Sequence, residues 1–241
     1  MKRQMTRSHG VCRILLAGGL ALLLGACASR SPPLDWQMNA QAAAERAVAA
    51  YLAGNTRVEA LEFERMRRET ARTGDATLMA RAELLRCATR VASLVFETCE
   101  RFEWLFLDAA PAERAYADYL LGQVTAQELA LLPVQQQAPA SRLRSGGAVS
   151  AGDVALLTAI DDPLARLVAA GVWLQAGQGH PAVMVLAVDT ASAQGWSRPL
   201  LAWLQVQARH AELGGDAVEA ERLRRRIRRV LSAEPPLVVK P

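Results

Sequence analysis

The chain has 241 residues, 51% of them hydrophobic but only 5% aromatic, and its 28 basic and 24 acidic residues leave a net charge of +4. Residues 1–26 hold four of the basic residues and no acid, so the 215 residues that follow (241 less 26) are electrically neutral. The sequence pI of about 9.2 therefore belongs to that short segment and argues for no nucleic-acid surface, while a core drawn from Ala, Leu and Val suits closely packed helices.

Lys2, Arg3, Arg7 and Arg13 lead into "ILLAGGLALLLGA", Ile14 to Ala26, which contains only Ile, Leu, Ala and Gly. The run is too short for a membrane span, which needs about 20 apolar residues. A basic start, an apolar stretch and small residues at the end make a secretory signal. "LGAC", Leu24 to Cys27, resembles the bacterial lipobox: an aliphatic residue, two small residues and a cysteine. That resemblance implies a lipoprotein signal over 1–26, with a diacylglycerol on the Cys27 thiol and Cys27 as the acylated N-terminus. Gly25 departs from the Ala, Ser or Thr usual there, and an ordinary cleaved signal is the competing reading. Ala28 stands where the family's inner-membrane retention signal has Asp. The resemblance thus implies the outer membrane of a two-membrane bacterium, with the periplasmic side taken over the cell exterior. Residues 27–35 then read as a polar tether with two prolines.

From there the pattern is helical throughout. Ala40, Ala44, Val48, Tyr51 and Leu52 share one face of a helix over about 36–53, ended by Gly54-Asn55. Ala60, Phe63, Met66 and Thr70 mark a second helix to about Thr73, and Gly74-Asp75 supplies a stop followed by a cap. A third, about 76–95, has apolar stripes on two sides and should sit between neighbours. "FEWLFL" is a short apolar piece, Pro111 opens a helix to about Leu121, and "TAQE" (Thr125 to Glu128) is a capping box before a brief helix ending at Pro133. Residues 133–150, rich in Pro, Gln, Gly and Ser, read as a linker loop between an N-terminal helical half (36–132) and a C-terminal half (151–232). "SAGD" is a further cap signal. Asp162-Pro163, Pro181 and Ser197-Pro199 each open a helix, a last one covers 217–232, and 233–241 read as a loose tail.

Residues 36–73 and 198–232 each give a helix, a Gly turn and a second helix within about 35 residues, which resembles tetratricopeptide (TPR) repeats. Tyr51-Leu52-Ala53-Gly54-Asn55 and Phe63 sit much as in a TPR, without the full consensus. The expected fold is all-α: stacked antiparallel helical hairpins, TPR-like, behind a lipoprotein signal. Through "ASLVFE" and "LAVDTASAQGW" the chain is also similar to uncharacterised bacterial lipoproteins of this size, a resemblance that implies no activity.

Candidate chemistry is sparse. Cys12 leaves with the signal and Cys27 takes the lipid, which leaves Cys87 and Cys99 in an oxidising compartment. On one unbroken helix their separation would span about 18 Å, so a disulfide requires the third helix to stop and the chain to turn back. The alternative for Cys87 is a small apolar residue in a stripe with Val91 and Leu94. His180 precedes Pro181 and His210 stands alone on a helix; with His9 removed, no metal-ligand spacing remains. No nucleophile elbow or phosphate loop is present, and Lys240 is the one lysine after the signal. Asp161, Asp162, Asp189, Glu97, Glu100 and Glu103 are the carboxylates that could serve as acid and base, although Asp162 fits an N-cap better. In "RLRRRIRR", Arg222 to Arg229, the arginines read as a solvated face balanced by Glu212, Asp216, Glu219 and Glu221, or else as a contact for anionic lipid or an acidic partner. Phe102, Trp104 and Phe106 read as core, with an exposed partner patch as the alternative. The function expected is a non-enzymatic adaptor without cofactor or metal. It would be held to the membrane through the Cys27 lipid and would carry another envelope protein, not nucleic acid. The rival is a carboxylate-dependent peptidoglycan enzyme.

Overall fold

The computed structural model describes residues 34–233; the expected signal, Cys12, Cys27, most of the expected tether and the stretch after Ala233 lie outside the described residues. Within them the chain is all-helical, with eleven α-helices and no strand. The first four are α1 (Asp35–Leu52), α2 (Thr56–Ala71), α3 (Ala76–Ala92) and a single turn, α4 (Glu100–Glu103). Next come α5 (Pro111–Leu120), α6 (Val134–Arg144) and α7 (Val154–Thr158). The last four are α8 (Pro163–Gln175), α9 (Pro181–Ala193), α10 (Ser197–Leu213) and α11 (Ala217–Ala233). None of the described helices is long and apolar enough to cross a membrane.

The boundaries follow local chemistry. Asn55 caps α2 by accepting from Val58 N, and Asp75 caps α3 by accepting from Thr77 and Leu78 N. Pro111, Pro163 and Pro181 occupy first helical positions, where no amide donor is missed. Ser150 and Asp153 close a capping box. In "TAQE", Thr125 N and Oγ1 both donate to Glu128 Oε2 at 2.7 Å, and a short 3-10 turn over Leu129–Leu131 follows.

Two expectations need correction. The third helix ends at Ala92 and not near Val95, because Leu94 takes a left-handed backbone (φ 60°). Val95 N then donates to Arg90 O and Leu94 N to Val91 O, the paired bonds that close a helix end. The supposed linker, 133–150, contains α6 and packs into the core. Gln136 Nε2 donates to Ala165 O at 2.9 Å, Tyr119 donates to Gln136 Oε1 at 2.6 Å, and the Trp173 indole donates to Pro139 O at 3.1 Å. Pro139 costs the helix one backbone bond, and buried side-chain bonds hold it in place.

The two expected halves therefore share one core. A continuous apolar cluster runs from Ala80 on α3 to Leu223 on α11, and the described residues from Asp35 onward make one unit. Its centre is α8, buried at every position from Leu167 to Trp173 and packed on α3, α5, α6 and α9. At the α3–α8 crossing a Cβ added to Gly171 would stand 2.4 Å from Val91 O, so only glycine admits this approach. α10 then closes the body: the Trp203 indole donates to Ala92 O, Ser197 to Ala53 O, and Arg198 to Tyr51 O.

Candidate functional site

The α2 and α3 faces that meet carry charge at helical spacing. Glu59, Phe63 and Arg67 lie one above the other on α2, and Glu83, Arg86 and Arg90 on α3. Arg67 grips Glu83 with both ends of its fork, Nε to Oε1 at 2.5 Å and Nη2 to Oε2 at 2.7 Å, and also bonds Glu64. Arg90 bridges the buried Glu59 at 3.3 Å and Glu97 at 2.7 Å, and Arg86 lies 3.6 Å from each of the same two carboxylates. The guanidiniums stack on aromatic faces: Arg67 over Phe63 at 4.4 Å, and Tyr51 between Arg90 at 4.7 Å and Arg198 at 4.4 Å. Burial, then the neighbouring Arg90, pushes Arg86 below the usual guanidinium range, against the pull of Glu59 and Glu97. Burial also raises the Tyr51 hydroxyl, only partly offset by Arg90 and Arg198.

A hook, residues 95–109, covers the outer side of α3. The structure places the Cys87 and Cys99 sulfurs 2.12 Å apart with Cα atoms 6.1 Å apart, which ties the start of the hook to α3. Phe102 is buried, while Trp104 (80%) and Leu107 (88%) stand in solvent and Phe106 lies edge-on to Phe102. The hook, α2 and α3 enclose an open groove of about 460 Å³, walled by five carboxylates (Glu59, Glu64, Glu83, Glu97, Glu100), three guanidiniums (Arg67, Arg86, Arg101), Phe63 and the disulfide. A smaller hollow of about 280 Å³ continues it past Trp104 to Thr70 and Met79.

A second depression, about 480 Å³, lies between α3, α5 and Leu131 to Val134 and is mainly apolar. Arg81 holds the buried Glu113 at its edge at 2.5 Å, and burial pushes the Tyr116 hydroxyl well above the usual tyrosine range.

The residues singled out in the sequence are distributed unevenly. Glu97 and Glu100 reach the main groove; Glu103 is exposed outside its lining. Asp162 caps α8 through Ala165 N at 2.6 Å, and Asp161 and Asp189 are exposed. His180 caps α9 by accepting from Ala182 N, and His210 is exposed on α10. Arg222, Arg224 and Arg228 form ion pairs with Glu219, Glu212 and Glu221, and Arg226 donates to Ser192. Among the described residues no group of three His, Cys, Asp or Glu side chains could hold a metal ion. Glu59, Arg67, Glu83 and Arg90 went unrecognised in the sequence. Their one signal is a charge placed on the helix face that also carries Phe63, Met66 and Cys87.

No protein-family model, curated protein or solved structure matches the chain. The resemblances drawn from its sequence therefore rest on its own residues.

Proposed function

We propose that this protein is an outer-membrane-anchored periplasmic lipoprotein that acts as a non-enzymatic helical scaffold for another envelope protein. The lipobox at Cys27 supports the anchor. The α1–α2 and α10–α11 hairpins, each about 35 residues long, are the TPR-like elements of the scaffold.

The observation that carries the scaffold reading is the state of the groove's charges. Of the five carboxylates that wall the groove, Glu59, Glu64, Glu83 and Glu97 each have an oxygen committed to arginine, and only Glu100 forms no ion pair among the described residues. A carboxylate-dependent glycosidase needs two carboxyls free to meet the substrate, and the groove leaves one. Fixed, already paired charges beside an aromatic ring instead offer bonding positions for a polar peptide segment. Such positions are rigid, so little side-chain freedom is lost on binding.

A photoreactive residue in place of Ala60, which lines the groove, tests this in intact envelopes. A discrete protein adduct is expected from that position, weakened severalfold by Glu83→Gln, with no adduct from the same probe at Leu213. Absence of a groove-specific adduct, together with loss of a peptidoglycan-cleaving activity in Glu97→Gln, would return the enzyme reading.

A further inference from the structure

The main groove runs along α2 from Glu59 to Arg67, and the hook carries apolar side chains past its Arg67 end. Two ion pairs set the levels. Arg46 on α1 meets Glu62 on α2 at 2.9 Å, and Arg67 on α2 meets Glu83 on α3. Counting outward along these antiparallel helices puts Met38 level with about Thr70, and Thr70 level with about Ala80. The hook descends along the same axis. Glu97 is beside Arg90; Trp104 and Leu105 share a hollow with Thr70, Ala71 and Met79; Ala110 N donates to Thr77 Oγ1 at 3.3 Å. Trp104 and Leu107 thus come to the end of the helices at which α1 begins.

Single exposed apolar side chains are ordinary, but Trp104, Phe106 and Leu107 are exposed together within four residues, and a contiguous apolar patch marks a contact site. Four features of this set select a lipid surface. Trp104 joins an apolar ring to an indole donor, the chemistry concentrated where hydrocarbon meets headgroups. Phe106 and Leu107 extend the patch, and Arg114 covers Phe106 at 5.8 Å. The exposed charges at this end are of both signs (Arg68 and Arg101 against Glu103 and Asp108), which suits zwitterionic headgroups and gives no strong attraction to an anionic or cationic protein. Finally, Leu34 follows Cys27 by seven residues, a leash of at most about 25 Å.

We propose that Trp104 and Leu107, with Phe106, form a membrane-docking surface that enters the headgroup boundary of a phospholipid bilayer beside the Cys27 anchor. The proposal rests on the lipoprotein reading. The leash gives the patch a high local concentration of bilayer, so an individually weak contact is enough. Docked this way, the body stands on the α1 end, with the Arg67–Glu83 pair bordering the hollow that Trp104 lines and the Glu59, Arg90 and Glu97 end of the groove farther from the lipid.

The test uses the full acylated chain in phosphatidylethanolamine–phosphatidylcholine vesicles that carry brominated acyl chains, with tryptophan quenching as the readout. Palmitate labelling of Cys27 is measured on the same preparation. Wild-type protein should be quenched. Trp104→Ala should lose half or more of the quenched fraction, and Leu107→Asp should lose a similar share with Trp104 still present. Both positions are exposed, and unchanged circular dichroism checks the fold. Labelled Cys27 with quenching that neither substitution alters overturns the docking surface and leaves the anchor standing. An unlabelled Cys27 overturns the anchor, and the proposal falls with it.

Discussion

Around α8 and in the α1–α2 hairpin the chain meets the same requirement in different ways. Seven consecutive α8 residues, Leu167 to Trp173, are buried among Ala, Val, Leu and two tryptophans. The hairpin meets α3 through a separate small cluster of Ala43, Ala47, Phe63, Met66 and Ala82, and is fastened besides by Arg46–Glu62, Arg67–Glu83 and Arg90–Glu59 and by the α10 bonds to Tyr51 and Ala53. Burial of apolar area depends little on pH or salt; ion pairs depend on both. The central layer should thus behave as a fixed frame, and the hairpin, which forms one wall of the groove, as the part that solution conditions loosen first.

The largest effect is expected where the two regions are joined. Trp203→Ala empties a fully buried site whose indole also holds the end of α3. It should cost about 4 kcal/mol, with hairpin and core lost together in a denaturant titration. Separate transitions would show that the hairpin does not depend on this junction.

Gly171→Ala should cost about 3 kcal/mol, because its Cβ would stand 2.4 Å from the Val91 carbonyl oxygen, a backbone atom that no side-chain rotation can move away. A change below 1 kcal/mol in urea unfolding would mean that the central crossing is looser than its geometry.

Breaking the Cys87–Cys99 link by Cys99→Ser should cost up to about 3 kcal/mol by loop entropy. Its local effect is sharper: proteolysis of the hook between 95 and 109 should speed up while α8 to α10 stay protected. Two free thiols in the unreduced wild-type protein would remove this prediction.

The smallest effects concern pH and charge. Arg46, through its hydrogen bond first, holds the Glu62 carboxyl below its ordinary value. A lowered folded value means stability that is present above the unfolded value near 4.5 and is lost as pH falls below it. Hydrogen exchange in α1 and α2 should therefore rise on acidification from pH 5 to 3, before exchange in α8. Asp153, held low by Arg142 and by Ser150, gives the central region one acid-sensitive joint of its own between α6 and α7. Equal loosening of α8 and α1 would abolish the distinction between the regions.

The sequence alone determined what is settled within four residues. Asp75, Asp162, Pro111, Pro163, Pro181 and the Ser150–Asp153 box mark helix starts because a cap or a fixed φ acts on the next turn, and the 3.6-residue period of small apolar residues specified an all-helical chain. Tertiary structure decided the rest. The stretch after Pro133 is helix because Gln136 finds Tyr119, 17 residues back, and Ala165, 29 residues ahead; its own composition favours a loop. α3 stops at Ala92 with no glycine to announce it, and that stop is what brings Cys99 back to Cys87. Phe102 went inside and Trp104 outside although both stand in one apolar run. Glu59 and Glu83 carry no local mark of their role, which arises only when arginines of the neighbouring helix meet them. Partners distant in the chain compensate for buried polar groups and choose among apolar ones, and a window of a few residues does not contain those partners.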